Sequence, residues 1–194
     1  INHRDFRNHL EKTVIPYSTA PGFAFRGDSY VVGALSRMNM NRDTLHRKTR
    51  KDLARHLKAF PSNNIFRNNL AQAIEIVHCI DSAVDLIESL EFAVEPKMQI
   101  TTRRSEGIGV LEAPRGTLYY NLSIDDAGKI ESADLVIPTS QNQIKIDQDI
   151  GGLVQEKLDA GMKKEGISLE IEKLVRAYDP CMSCATHFLK VNWK

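Results

Sequence analysis

The stretch Ile65–Glu91, IFRNNLAQAIEIVHCIDSAVDLIESLE, decides the fold class. Leu70, Ala73, Ile74, Val77, Ile80, Ala83, Val84, Ile87 and Leu90 recur at the three- and four-residue intervals of one helix. The apolar positions fill more than one stripe, which predicts a long helix packed on several sides. His78 and Cys79 lie inside it and read as packed core residues, since no neighbour in sequence completes a site around them. Pro61-Ser62-Asn63-Asn64 supplies the turn that precedes this helix.

Upstream, residues 43–60 read as a helix capped by Asp43, with Leu45, Leu53 and Leu57 near helical spacing. Its Arg47, Lys48, Arg50, Lys51, Arg55 and Lys58 form a solvated basic face or, on a sharper reading, a docking face for an acidic partner. Residues 1–40 mix polar turns with one short apolar run, Tyr30–Leu35. Downstream the period changes. Met98–Thr102 alternates like a strand, and Thr117–Ile124 is rich in β-formers. Asp125-Asp126-Ala127-Gly128 is a turn, and Lys129–Ile137 resumes strand-like composition, which predicts a β-hairpin. Residues 149–164 and 168–178 read as two further helices separated around Gly166, with Pro180 stopping the last. The fold class expected is α+β and mainly helical: long packed helices with a small antiparallel β-hairpin region, forming one domain over residues 1–194.

Composition narrows the classes. The chain has 194 residues, 42% hydrophobic and 26% charged, a normal globular balance. A net charge of +1 points to neither nucleic acid nor an anionic membrane. No run approaches the roughly 18 apolar residues of a membrane span. The polar start, Ile1-Asn2-His3-Arg4-Asp5, is not a signal peptide. Three cysteines make no disulfide framework, so a reducing cytoplasm is the natural setting.

Two of those cysteines stand together in Asp179-Pro180-Cys181-Met182-Ser183-Cys184-Ala185-Thr186-His187. Two thiols and an imidazole on one short stretch are soft and borderline ligands suited to nickel, iron or zinc. A covalent haem site needs His directly after the second Cys, and here Ala185 and Thr186 intervene. A structural zinc site needs four ligands, and there is no second CxxC. A thioredoxin-like pair opens a helix, whereas this pair follows one. Spacing alone therefore gives a metal site that this chain leaves incomplete.

Two other stretches carry candidate chemistry. Thr102–Thr117, rich in Gly, Arg and Glu, reads either as a surface turn with a Glu112–Arg115 ion pair or as a loop setting the Arg115 fork beside an anionic or metal-bound ligand. Val136-Ile137-Pro138-Thr139-Ser140-Gln141-Asn142-Gln143 ends the hairpin with hydroxyl and amide donors, or is a plain turn and helix cap.

Together, Arg104–Gly116, Pro138–Asn142 and Asp179–His187 resemble, in order, the C-terminal half of the large catalytic subunit of nickel–iron hydrogenases. The form Asp-Pro-Cys-x-Ser-Cys-Ala-Thr-His is most similar to the cytosolic, multimeric, cofactor-coupled group. The related quinone-site subunit of respiratory complex I has lost the nickel cysteines, which this chain keeps. The resemblance implies reversible heterolytic cleavage of dihydrogen at a nickel–iron centre carrying carbon monoxide and cyanide. It implies that Cys181 is a terminal nickel thiolate and that Cys184 bridges nickel and iron. Arg115 would lie over the open side of the metals, and Pro138 and Thr139 would line the cyanide pocket. His187 and the carbonyl of Leu135 would help bind a second metal, usually magnesium. Implied partners are an iron–sulfur small subunit, electron-transfer subunits, maturation chaperones and a maturation protease.

The family's other nickel cysteine pair lies near its N-terminus, and Cys79 stands alone here. The expectation is therefore a piece of a longer subunit that needs its N-terminal half, since Ile1 is an unusual start. The family's protease cuts after the equivalent of His187, yet Phe188–Lys194 continues here. Those residues read as a retained maturation tail or as the terminus of an unprocessed member, and the reading favours a metal-free, unprocessed state. The alternatives are an inactive precursor that binds maturation factors, or a relative with zinc on Cys181, Cys184 and His187.

Overall fold

Helical periodicity from Ile65 onward takes shape as a short 3-10 turn, Ile65–Arg67, running into α4, Asn68–Ser89. Asn64 opens it by accepting the Phe66 N–H on Oδ1 at 3.0 Å. The computed structural model describes residues 3–18, 20–91, 93–181 and 183–185. Before α4 come strands β1 (Leu10–Thr13) and β2 (Gly22–Phe25), then helices α1 (Ala34–Asn41), α2 (Arg47–Asp52) and α3 (Ala54–Leu57). After it come β3 (Ser105–Ala113), β4 (Gly116–Ile124) and β5 (Ile130–Val136), then α5 (Pro138–Asp159) and α6 (Lys164–Tyr178). The class is α+β with helices dominant.

The expected hairpin is the second half of a three-stranded antiparallel sheet in the order β3-β4-β5. The predicted Gly/Arg/Glu loop shrinks to a two-residue turn, Pro114–Arg115, because Ser105–Ala113 pairs in register with Gly116–Ile124. Met98–Thr102, by contrast, forms no strand; Met98 and Ile100 stand exposed with no neighbouring edge to complete a ladder.

The single helix expected over 43–60 is broken. Leu53, at φ −105° and ψ 16°, ends α2 and starts α3. The break lets Thr49 bury its hydroxyl against Asp81 (2.7 Å) while Leu53 and Leu57 pack on the helical core. The cap is His46, whose Nδ1 accepts from the Lys48 N–H at 3.3 Å, and not Asp43. The basic side chains are solvent-exposed, as expected, with Lys48 bonded to Asp81 at 2.7 Å. That bond holds the Asp81 carboxyl below its ordinary range, helped by the Thr49 hydroxyl, and raises the Lys48 ammonium.

Two cores hold the molecule. Leu35, Met38, Ala71, Ile74, Ile146, Leu174 and Tyr178 fill the space between α1, α4, α5 and α6. Phe6, Leu10, Phe23 and Val136 fill the space between the β1–β2 hairpin and the sheet, where the Phe6 ring stacks on Tyr119 at 5.0 Å. α4 departs from expectation: only Asn68, Ala71, Ile74 and Asp81 of its 22 residues are buried, and Cys79 is an exposed free thiol. Within these residues nothing covers its remaining faces.

The last helices also shift. α5 begins at Pro138, eleven residues before the predicted 149, because proline at the first helical position needs no N–H partner and presets φ. Gly161, at φ +70°, follows its end. Ile167, Ile171, Leu174 and Tyr178 form the buried stripe of α6.

Candidate metal centre

The cysteine stretch is delivered by α6 and stopped by Asp179, which takes the left-handed conformation at φ 51° and ψ 54°. Pro180 disfavours helix for the residue before it, so Asp179 is where the chain turns. The backbone then tightens: the Cys184 and Ala185 N–H groups donate to the Cys181 carbonyl at 3.2 and 3.4 Å. Cys181 and Cys184 are joined as a disulfide with their Cα atoms 5.3 Å apart. The Ser183 hydroxyl lies 3.4 Å from Cys181 Sγ. Reduced to thiolates, two sulfurs so close would be able to share one metal ion.

The seat of this loop is the first turn of α5. Thr139 Oγ1 accepts the Cys181 N–H at 3.0 Å. Pro138, Thr139, Ser140, Gln141 and Asn142 are all buried, an unusual run for polar residues unless each is bonded. Gln141 donates from Nε2 to the Thr117 carbonyl at 2.6 Å and accepts from the Tyr30 hydroxyl at 3.1 Å. Burial raises the Tyr30 pKa, so this hydroxyl stays a donor. Asn142 grips Val32 twice, accepting its N–H at 2.8 Å and donating to its carbonyl at 3.2 Å. Ser140 differs: its hydroxyl is buried with no partner among the described residues. An orphaned hydroxyl at a helix N-terminus, where the backbone dipole favours negative charge, suits an anionic or strongly dipolar ligand.

Arg115 arrives from the opposite side on the β3–β4 turn. Its Nε donates to the Asp179 carbonyl at 2.8 Å and its Nη2 to Asp179 Oδ1 at 3.1 Å. Asp179 also accepts from Gln72 of α4 at 2.8 Å. The turn itself is clamped by Arg37, which donates to the Ala113 and Pro114 carbonyls at 3.1 and 2.7 Å and pairs with Glu75 and Glu112. Burial lowers the Arg37 pKa, but its two carboxylate partners outweigh that and raise it. Backbone meets backbone here. A Cβ on Gly116, at φ +134°, would sit 2.8 Å from Val32 Cβ, and one on Gly33, at φ +115°, 3.0 Å from the Arg115 carbonyl. Only glycine allows that crossing.

Four of the residues singled out in the sequence therefore meet: Arg115, Thr139, Cys181 and Cys184. Pro138 adjoins them as the first residue of α5. Leu135 lies in β5 opposite Tyr120, three residues before Pro138, with an exposed side chain. His187 and the Phe188–Lys194 tail lie outside the described residues. The Glu112–Arg115 ion pair does not form: Glu112 pairs with Arg37, and Arg115 with Asp179. The sequence reading missed Asp179, Gln72, Gln141 and Asn142 as anchors. For Gln141 and Asn142 the one visible signal was an unbroken polar run, 139–143, between Pro138 and Ile144; Gln72 and Asp179 gave none.

Behind the loop, Tyr178 donates to Asp149 Oδ2 at 2.5 Å, and burial together with that carboxylate raises its pKa. It acts as a fixed strut. No group of three or more His, Cys, Asp or Glu side chains converges as a metal site among the described residues. Once reduced, the two cysteine sulfurs, with the orphaned hydroxyl and the anchored guanidinium, would fit one side of a thiolate-held centre and leave the other side open.

The sequence and the fold were compared with known proteins. The family model described as nickel-dependent hydrogenase matches residues 12–187. Sulfhydrogenase 1 subunit alpha of Pyrococcus furiosus is 30% identical over 188 residues, covering 96% of this chain and 43% of that protein. The NAD-reducing hydrogenase HoxS subunit beta of Cupriavidus necator is 35% identical over 204 residues, covering 97% and 41%. Among solved structures, an NAD+-reducing nickel–iron hydrogenase in the H2-reduced state superposes with a TM-score of 0.71 at 28% identity, covering 95% of this chain and 43% of that one. The chain thus spans about two-fifths of the length of the relatives it matches.

Proposed function

The chain belongs to the nickel-dependent hydrogenase family, and we propose that it forms the part of a large catalytic subunit whose Cys181 and Cys184 supply two thiolates of a nickel–iron centre. The reaction is reversible cleavage of dihydrogen to protons and electrons. When bound, such a centre supplies the polarisation that splits dihydrogen heterolytically. The chain's own residues position and receive. Cys181 is held by its N–H on Thr139, so its thiolate has a fixed place from which to take a proton at Sγ. Arg115, tied to Asp179 two residues before Cys181, brings a fixed guanidinium to the start of the cysteine loop. The Thr139 and Ser140 hydroxyls would donate to carbon monoxide or cyanide on such a centre, and buried Pro138 would keep water from them. His187 and the Leu135 carbonyl would hold a second metal ion, magnesium by the family resemblance.

The observation that carries this reading is the meeting of Arg115 and Thr139 on the Cys181 loop from elements more than 20 residues apart in sequence. Two further thiolates come from the rest of the subunit. Electrons leave through an iron–sulfur small subunit to a soluble carrier, in keeping with relatives named as alpha and beta subunits. Maturation chaperones and a protease load and process the chain in the cytoplasm. No described helix is long and apolar enough to cross a membrane.

The test is elemental analysis and infrared spectroscopy of the full-length subunit purified with its partners. Nickel and iron together, with bands from metal-bound carbon monoxide and cyanide, are expected. Zinc alone would convert the site to a structural one, and a mature complex without metal would leave only a precursor role.

A further inference from the structure

The Asp179 carboxylate is shared. Its Oδ1 accepts from Arg115 Nη2 at 3.1 Å, while its Oδ2 lies 3.1 Å from Arg115 Nε and also accepts from Gln72 Nε2 at 2.8 Å. The Asp179 main-chain carbonyl takes the Arg115 Nε–H at 2.8 Å. With Nε and Nη2 both engaged by one residue, the plane of the guanidinium follows the plane of that carboxylate. Nη1 is the nitrogen that Asp179 does not engage. Whatever fixes the Asp179 carboxylate therefore fixes where Arg115 presents its remaining N–H groups.

Asp179 does not fix itself. Rotation of a carboxylate about its last bond is broad and roughly two-fold. The two side chains of the pair are 42% and 35% exposed, a setting in which an ion pair alone holds geometry weakly. Gln72 supplies a further constraint from α4, 107 residues earlier in the chain. Only the N–H end of its amide can face a carboxylate. Being neutral, it orients Oδ2 without offering Asp179 a second cation in competition with Arg115. Three residues along α4, Glu75 pairs with Arg37, whose guanidinium donates to the Ala113 and Pro114 carbonyls just before Arg115. Positions 72 and 75 share a face of the helix. One turn of α4 thus reaches Arg115 twice: its backbone through Arg37, and its side chain through Asp179.

We propose, resting on the reading of Arg115 as part of a hydrogenase metal site, that Gln72 is a positioning residue for Arg115. Its amide N–H, acting through Asp179 Oδ2, sets the plane in which the guanidinium meets a ligand held at Cys181 and Cys184. Gln72 acts at one remove, since it bonds to Asp179 and not to Arg115. A mere strut between α4 and the end of α6 would behave differently: its loss would have the same effect whatever side chain stands at position 115.

The test uses the full-length subunit purified with its partners. Gln72→Leu removes the donor and keeps the bulk. Turnover should fall on the order of 10-fold, with the KM for dihydrogen and the nickel content unchanged. Gln72→Glu, which sets a second carboxylate against Asp179, should lose at least as much. In an Arg115→Lys background there is no fork to orient, so Gln72→Leu should change turnover by less than about twofold. The full loss in that background would overturn the proposal, and so would unchanged turnover in both single variants. A crystal structure of the Gln72→Leu complex reads the geometry without activity: the Arg115 guanidinium should give up at least one of its contacts to the Asp179 carboxylate. An unmoved Arg115 would overturn the assignment. Elemental analysis of the unaltered complex separates the two readings. Without nickel there, the metal reading falls and the crystal structure still decides the role of Gln72, whereas nickel with an unmoved Arg115 does the reverse.

Discussion

The first turn of α5 and the length of α4 are opposites. In α5, five consecutive residues, four of them polar, are buried, and all but the Ser140 hydroxyl have their partners inside the chain. In α4, an apolar helix of 22 residues keeps only four of them buried. One region is closed by its own sequence and the other is not. The contrast teaches what the described residues complete by themselves. They build the seat of the cysteine loop, and they leave most of α4 uncovered.

The most drastic way to probe the closed side is Cys181→Ser in the full-length subunit. Nickel content, measured by elemental analysis, should fall to background, because a hydroxyl is a poor nickel ligand at neutral pH. Retained nickel would mean that the loop seated on Thr139 is not a ligand loop. The open side is tested by pairing Ile74→Ala with Ile80→Ala in the same protein. Ile74 is buried in this chain, and its loss should cost about 2–5 kcal/mol. Ile80 should cost a similar amount if its face is covered; a change within about 0.5 kcal/mol in urea unfolding would leave α4 bare.

Arg115→Lys returns to the seat. It keeps the charge but loses the fork on Asp179, so turnover should drop on the order of 10²-fold with metal content unchanged. Equal loss of metal would reassign Arg115 to stability. Asn142→Ala leaves the Val32 N–H and carbonyl unanswered and should cost about 1–3 kcal/mol, read as a lower midpoint in urea. The smallest effect concerns the pinning of α2 to α4. Asp81 has a depressed pKa, so its contribution is present above the ordinary carboxylate value of 3.8 and is lost as pH falls through the lowered one. Lys48 has a raised pKa, so its share is present below 10.5 and is lost as pH rises through the raised value. Stability curves of the protein and of Asp81→Asn should separate between these limits and converge in strong acid.

The legible and illegible parts divide by distance along the chain. α4 could be read because its period is local, and so could the turn at Asp125–Gly128, where Asp125 Oδ1 accepts from Ala127 and Lys129. The loop predicted over residues 102–117 failed because Gly107 and Gly109 argue against a strand until β4 offers them a ladder. The start of α5 was hidden for a related reason. Ser140, Gln141 and Asn142 look like a turn, and their burial makes sense only once Val32 and Thr117 are seen beside them. At the site, the thiol pair was visible because its chemistry sits within four residues. Arg115 could not be paired correctly, since its partner lies 64 residues away while Glu112 lies only three.

Asp179 has a consequence for how the protein is made. Its partners Gln72 and Arg115 both precede it in the chain. At ordinary ribosomal speeds the 64 residues between Arg115 and Asp179 take roughly 3–13 s to synthesise. Helices form in microseconds and even slow collapse is far quicker than that. The residues that receive the cysteine loop are therefore synthesised, with time for their helices to form, before either thiol of that loop exists.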